Sequence, residues 1–357
     1  KILKQWFGRT IIHSDRRFSY EEVQEVLESK EGDFKEEILV LDDLAKKLRT
    51  ERFKKGAIGF ETVEVRFQLD QNGVPLAVVP KIRKDAHKLI EDFMLLANKK
   101  VAEYVFFMKK GQDKNTFVYR THDHPNTEKL NALALFAKRF GHDVQLEEED
   151  KIAASLNKLV EEVEGKPEQN VLQSLAIRTM AKAKYTTEPD IHFGLAFQHY
   201  THFTSPIRRY PDMMVHVLLD HYLNGGKSEN KTYYEDKCIH ASEMEKLAAD
   251  AERASIKYKQ VEFMSKMLGQ EFDGIVSGVT EFGLFVEMVE TKCEGLVRMS
   301  ELDDDYYEFD AENYRIIGKK NKRMYTLGDT VKVKVIRTDL EKRTIDLELI
   351  PESRPRL

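Results

Sequence analysis

The sequence predicts a mixed α/β (α+β) unit over residues 1–267, an all-β barrel over 268–350 and a short tail at 351–357. Three observations point that way. Apolar residues recur at helical spacing, interrupted by a few alternating runs, as far as about residue 265. From residue 269 the punctuation changes: Gly278, Gly283, Gly295, Gly318 and Gly328 separate short β-branched runs. The length, 357 residues, suits two or three domains at about 150 residues each.

Arg9–His13 reads as an opening strand, and Ser19-Tyr20-Glu21-Glu22 opens a helix with Ser19 as N-cap and acids in the first turn. Residues 37–52 carry Leu39, Leu41, Leu44 and Leu48 at helical spacing. Phe60 to Leu69 alternates, Asn72-Gly73 turns and Leu76 to Val79 returns, which together predict a hairpin. A long helix spans 86–108, an irregular stretch covers 119–125, and a helix follows at 127–140. The charged segment 144–168 reads as a surface helix, and 172–182 as another. The pattern breaks over 194–209, then resumes as helices at 211–223 and about 234–268. Five runs (274–279, 283–287, 295–299, 330–338 and 344–348) suit a small closed barrel of the OB type.

At 41% hydrophobic and 33% charged residues, the chain reads as globular. Two cysteines, Cys238 and Cys293, exclude a disulfide scaffold and fit a reducing cytoplasm. No apolar run approaches the roughly 18–20 residues of a membrane span. The net charge of −5 excludes a uniformly basic nucleic-acid binder, and all of it falls in residues 266–350, with 13 basic and 18 acidic residues. An anionic ligand must therefore be met by local clusters. The start at Lys1, directly before strand-like sequence, leads to the expectation of a piece of something longer.

Arg208 and Arg209 sit between Pro206 and Pro211. Guanidinium forks suit phosphate oxygens, with a loop whose arginines pair with carboxylates as the alternative. Phe282 and Phe285 flank a glycine-marked strand start and either stack bases or fill the barrel, whereas Phe272 reads as core. Phe60 follows a small-residue run, Glu91 and Asp92 share a helix, and Glu252 lies among Glu245, Asp250 and Arg253, where salt-bridge decoration is the default. His122-Asp123-His124 has a metal-site composition, but adjacent residues on a strand point apart. There is no zinc spacing, P-loop, GxGxxG or GxSxG.

The segment HFGLAFQHYTHFTSPIRRYPD (residues 192–212) resembles the signature of the ribonuclease II/ribonuclease R family within its RNB catalytic domain. RKDAHKLIEDFMLLAN, GAIGFE, YRTHDHP and Ala251-Glu252-Arg253 are similar to further family segments. VTEFGLFVEM, EGLVRMSEL and DDDYYEFD resemble an S1 RNA-binding domain, closer to the ribonuclease R branch. The resemblance implies a processive, Mg²⁺-dependent, hydrolytic 3′→5′ exoribonuclease. It implies that Arg208 contacts the scissile phosphate and that Glu252 positions the backbone or the attacking water. Phe60 would stack on the 3′-terminal base and Glu91 would bind the terminal ribose. Arg209 and Tyr210 would line the RNA path. Phe282 and Phe285 would belong to the barrel's RNA face, with Arg298 where many such barrels carry histidine.

One departure stands out. The family holds its metals with a pattern of Asp, five residues, Asp, one residue, Asp-Asp, and this pattern does not occur in the sequence. No residue here is assigned as a metal ligand. Neither the second clamp residue, a tyrosine, nor the preceding cold-shock domains are recognisable. The expectation is a carboxy-terminal part of such an enzyme, inactive or nearly so alone, with RNA and a complementing half as partners. The alternative is a non-catalytic RNA-binding protein that uses the barrel and the arginine loop.

Overall fold

A computed structural model describes residues 2–59, 64–111, 113–146, 149–166, 168–311 and 313–350. The tail at 351–357 and the start of the expected strand at Phe60 lie outside the described residues.

Residues 2–19 form no strand. Ile11 and Ile12 are 104% and 86% exposed, and no described strand pairs with them. A strand needs a ladder partner, and this run is tied down instead by Arg9 on Asp220, at 2.7 and 3.1 Å.

Helix α1 (Tyr20–Ser29) begins where expected, with a reciprocal capping box in which Ser19 Oγ accepts from Glu22 N and Glu22 accepts from Ser19 N. Helix α2 (Lys35–Lys54) follows, then the antiparallel hairpin β1 (Glu64–Leu69) and β2 (Pro75–Lys81). Asp70 Oδ1 accepts from both Asn72 N and Val74 N, closing the turn at Gly73 (φ +78°). The long helix α3 (Asp85–Phe107) leads to β3 (Tyr119–Thr121) in the stretch expected to be irregular.

Helices α4 (Thr127–Arg139), α5 (Glu149–Val163) and α6 (Gln169–Thr179) pack beside one another. The charged segment is more than a surface helix: Ile152, Ala153, Leu156, Leu159 and Val163 are buried on one face of α5. Their three-to-four-residue spacing builds a core stripe whatever the charge of the other face. β4 (Lys184–Thr186) pairs antiparallel with β3. Helices α7 (Tyr210–Leu223) and α8 (Lys231–Met264) complete this part.

The barrel begins with β5 (Glu271–Thr280), β6 (Gly283–Met288) and β7 (Glu294–Arg298). A side sheet of β8 (Tyr307–Asp310), β9 (Arg315–Gly318) and β10 (Met324–Thr326), absent from the sequence expectation, comes next. β11 (Thr330–Asp339) and β12 (Thr344–Leu349) close the barrel in the order β11-β12-β7-β6-β5. Alternation puts Val276, Leu284, Val286, Val297, Val333 and Leu347 inside. Phe272 is buried, as its reading as core required. Gly283 (φ +143°) is indispensable, since a Cβ there would lie 2.0 Å from Val297 O.

The barrel's core runs into that of α4–α6, where Phe136 meets Tyr314 edge-on at 5.5 Å. Lys257 of α8 donates to Glu294 O at 2.6 Å, while Lys259 and Lys266 donate to Gly73 O and Pro75 O. The end of α8 is thereby anchored to both the barrel and the hairpin. Among the described residues no helix is long and apolar enough to cross a membrane.

Candidate functional site

The arginine loop before α7 is held from three sides. Thr201 Oγ1 donates to Val118 O at 2.6 Å. Phe203 N and Thr204 N both donate to Asn98 Oδ1 of α3, at 2.9 and 3.1 Å, and Asn98 Nδ2 donates to Tyr200 Oη. The Phe203 ring stacks on His216 of α7 at 4.1 Å. Asp212, fully buried in the first turn of α7, accepts from Ser205 N and from Arg209 Nη2, each at 2.7 Å. A buried carboxylate must be paired, and Arg209 fills that need.

The adjacent residue is thereby left over. Arg208 is exposed, and its one recorded side-chain contact is a long one, Nη2 to Ser205 Oγ at 3.5 Å. Across the gap, Glu252 is exposed on α8 and forms no ion pair among the described residues, whereas its neighbour Arg253 pairs with Asp250. Arg208 and Glu252 line one cleft of about 710 Å³, together with Arg209, Tyr210, Tyr185 and Glu245. Tyr210 is exposed, with Lys237 Nζ 5.5 Å from its ring centroid.

The floor of this cleft is a compact polar cluster. Arg120 of β3 makes a two-pronged ion pair with Glu245 of α8, at 2.6 and 2.9 Å. Its guanidinium lies 4.5 Å over the Tyr185 ring of β4, and Tyr185 Oη is 2.8 Å from His202 Nδ1. Burial pushes the Tyr185 hydroxyl up to about 12. Burial, then the Arg209 and Arg120 charges, pushes His202 down to about 2. Burial also takes His192 down to about 3. These histidines are neutral at any working pH. The floor is thus proton-inert, and the walls carry Arg208 and Glu252, neither of which forms an ion pair among the described residues.

The other sequence-derived residues are dispersed. Phe60 lies outside the described residues. Glu91 of α3 pairs with Arg83, while Asp92 beside it is buried under Arg49 and Arg52, each at 2.9 Å. Glu91 does not line the arginine cleft. Both ring nitrogens of His122 face backbone: Gly194 N donates to Nδ1, and Nε2 is 2.8 Å from Ala181 O. The resemblance implies Mg²⁺, but among the described residues no group of three or more His, Cys, Asp or Glu side chains is arranged to hold a metal. The residues described do not fit that ion.

On the barrel, Phe282 is 69% exposed and Phe285 is half-buried on the outer surface against Gly278. Arg298 donates to Asp346 Oδ1 at 3.0 Å, and Arg337 Nε donates to Asp346 Oδ2 at 2.7 Å.

Sequence reasoning named Glu245 only as salt-bridge decoration and missed Asn98, Arg120, Tyr185, Asp212 and Asp346. Only Asp212 left a local signal, three residues after Arg209 on a helix start. The others acquire their roles through contacts distant in sequence.

The RNB domain family matches residues 1–225, and the S1 RNA binding domain family matches 265–350. Ribonuclease R of Thermotoga maritima is 39% identical over 357 residues, covering 96% of this chain and 49% of that protein. Ribonuclease R of Aquifex aeolicus is 37% identical over 350 residues, with the same coverage of 96% and 49%. The apo form of Mycoplasma genitalium RNase R superposes with a TM-score of 0.86 at 28% identity, over 94% of this chain and 53% of that one. The same protein in complex with ribose methylated single-stranded RNA gives 0.85 at 27% identity, again over 94% of this chain and 53% of that one. The chain spans about half the length of the curated relatives it matches. With the RNB match covering well over half of its residues and the S1 match falling on its barrel, the chain belongs to the RNB family.

Proposed function

We propose that this chain carries the RNA-gripping and charge-stabilising part of a ribonuclease R-type 3′→5′ exoribonuclease, which hydrolyses phosphodiesters to 5′-mononucleotides. The observation that carries the reading is the Arg208–Glu252 cleft: an exposed guanidinium on a tethered loop shares it with an exposed carboxylate on an anchored helix, and neither has an ion pair among the described residues. Arg208 would bind the scissile phosphate and stabilise the charge that grows on its oxygens. A preorganised donor of this kind is typically worth 10²–10³ in rate, about 3–4 kcal/mol. Glu252 would accept a hydrogen bond from the attacking water or orient the backbone. Arg209 would support Arg208 through Asp212, and Tyr210 would line the path. Phe60 would stack on the 3′-terminal base and Glu91 would read the terminal ribose 2′-hydroxyl. The barrel would hold RNA upstream through Phe282, Phe285 and Arg298. The RNA-bound Mycoplasma protein, which shares this fold, supports single-stranded RNA as the ligand.

Hydrolysis of this type uses metal-held water. The family's aspartate pattern is not among these residues, so no step is assigned to a metal here. Alone, the chain is expected to bind RNA and cut it slowly or not at all, with carboxylates from a complementing half supplying the ion site. No described helix spans a membrane, which accords with a cytoplasmic setting.

The test is incubation with 5′-labelled single-stranded RNA, in Mg²⁺ and then in EDTA, reading gel shift and ladder together. A shift without shortening is the expected result. Stepwise 3′ shortening abolished by EDTA would overturn the division of labour proposed here, and absence of any shift would overturn RNA binding itself.

A further inference from the structure

Asp346 lies in an unusual place for a carboxylate. Its neighbours on β12, Ile345 and Leu347, point into the barrel, so Asp346 faces outward. Its side chain is nevertheless only 2% exposed, because two guanidiniums cover it. Arg298 binds one oxygen, and Arg337 binds the other through both Nε and Nη2. The register puts this cluster among the aromatics. Phe285 is paired with Leu296, Leu296 with Asp346, and Asp346 with Arg337, so the four lie in one row across β6, β7, β12 and β11. Arg298 is two residues beyond Leu296 on the same face. Its Nε is buried with no hydrogen-bond partner among the described residues, although the side chain as a whole is 40% exposed.

A free arginine grips phosphate with its hydrogen-bonding edge. Here Asp346 occupies edges of both arginines, and the cluster's charge falls from +2 to +1. What Arg298 still offers is its flat face, and guanidinium planes stack on bases.

Resting on the RNA-binding reading above, we infer that Asp346 is a positioning residue: it withholds Arg298 and Arg337 from phosphate and holds Arg298 flat near Phe285. This face of the barrel then takes bases rather than the sugar–phosphate backbone.

The test measures affinity of the full chain in EDTA for a labelled single-stranded oligoribonucleotide, and for the same strand with abasic sites, across a salt series. Asp346→Ser should steepen the dependence of log K on log salt by about 0.7 for each phosphate newly contacted, and should shrink the preference for the base-bearing strand. Arg298→Lys keeps the charge but removes the plane. It should lose about tenfold on the base-bearing strand, the range of one stacked base, with little change on the abasic one. An unchanged salt slope in Asp346→Ser would make that residue merely structural. Wild-type affinity in Arg298→Lys would make Arg298 a simple cation. Either outcome overturns the inference while RNA binding stands, and if Asp346→Ser does not fold, Arg298→Lys decides alone. Failure of the unsubstituted chain to bind RNA would overturn both readings.

Discussion

The cleft and the barrel face solve one problem in opposite ways. Each sets two arginines around one buried aspartate: Arg208 and Arg209 beside Asp212, and Arg298 and Arg337 on Asp346. In the cleft, Asp212 takes Arg209 and the loop backbone, and Arg208 is left free. On the barrel, Asp346 is shared by Arg298 and Arg337, so both guanidiniums carry an ion pair. The proportion of cations is the same, yet one arrangement leaves a guanidinium exposed without an ion pair among the described residues and the other engages both. Counting basic residues along the sequence cannot separate the two, and net charge is a poor guide to which arginines stay exposed.

The comparison breaks most visibly at Asp212. Asp212→Ala leaves the partly buried Arg209 uncompensated and unties Ser205 N. Removing one partner of a buried pair costs about 3–5 kcal/mol, and urea unfolding should read a loss of that size. A loss under about 1 kcal/mol would mean the loop is not held as described.

Next in size is the response to pH. The pKa values of His192 and His202 are depressed to about 3 and about 2 by burial, against about 6.5 unfolded. The unfolded chain therefore binds more protons between those limits, and stability is lost as pH falls below about 6.5. Between pH 7 and pH 5 the loss should be up to about 2 kcal/mol for each histidine. Histidine proton NMR should show both rings failing to titrate above pH 4. Titration of either near 6 would contradict the dry floor.

On the barrel, Phe285→Ala should weaken binding to single-stranded RNA by about 1–3 kcal/mol, measured by fluorescence anisotropy. Unchanged affinity with a lower Tm would reassign the ring to packing. The smallest effect on the fold belongs to Phe282→Ala: this ring is largely exposed, so Tm should hold while RNA affinity falls.

The five barrel strands were legible because glycines bracket β-branched alternation, and all five occur in the closed sheet. The side sheet was not, because Tyr307–Asp310 alternates over only four residues and its short strands depend on pairing with Arg315–Gly318. β3 and β4 are three residues each, too short to leave a period. The opening isoleucines had strand composition but no strand to pair with. In the cleft, Arg208 and Glu252 were reachable through motif resemblance. The floor was not: Arg120 and Glu245 stand 125 residues apart, and Asn98 and Phe203 105 apart. A hydrogen bond across that separation exists only once the chain has folded.

The most direct test of the account is the salt dependence of RNA affinity in Arg208→Ala beside the unsubstituted chain, with Tm measured on both. A free guanidinium on phosphate predicts a slope shallower by about 0.7 and an unchanged Tm. An unchanged slope, or a fallen Tm, would mean that Arg208 is part of the scaffold and that the cleft does not grip RNA through it.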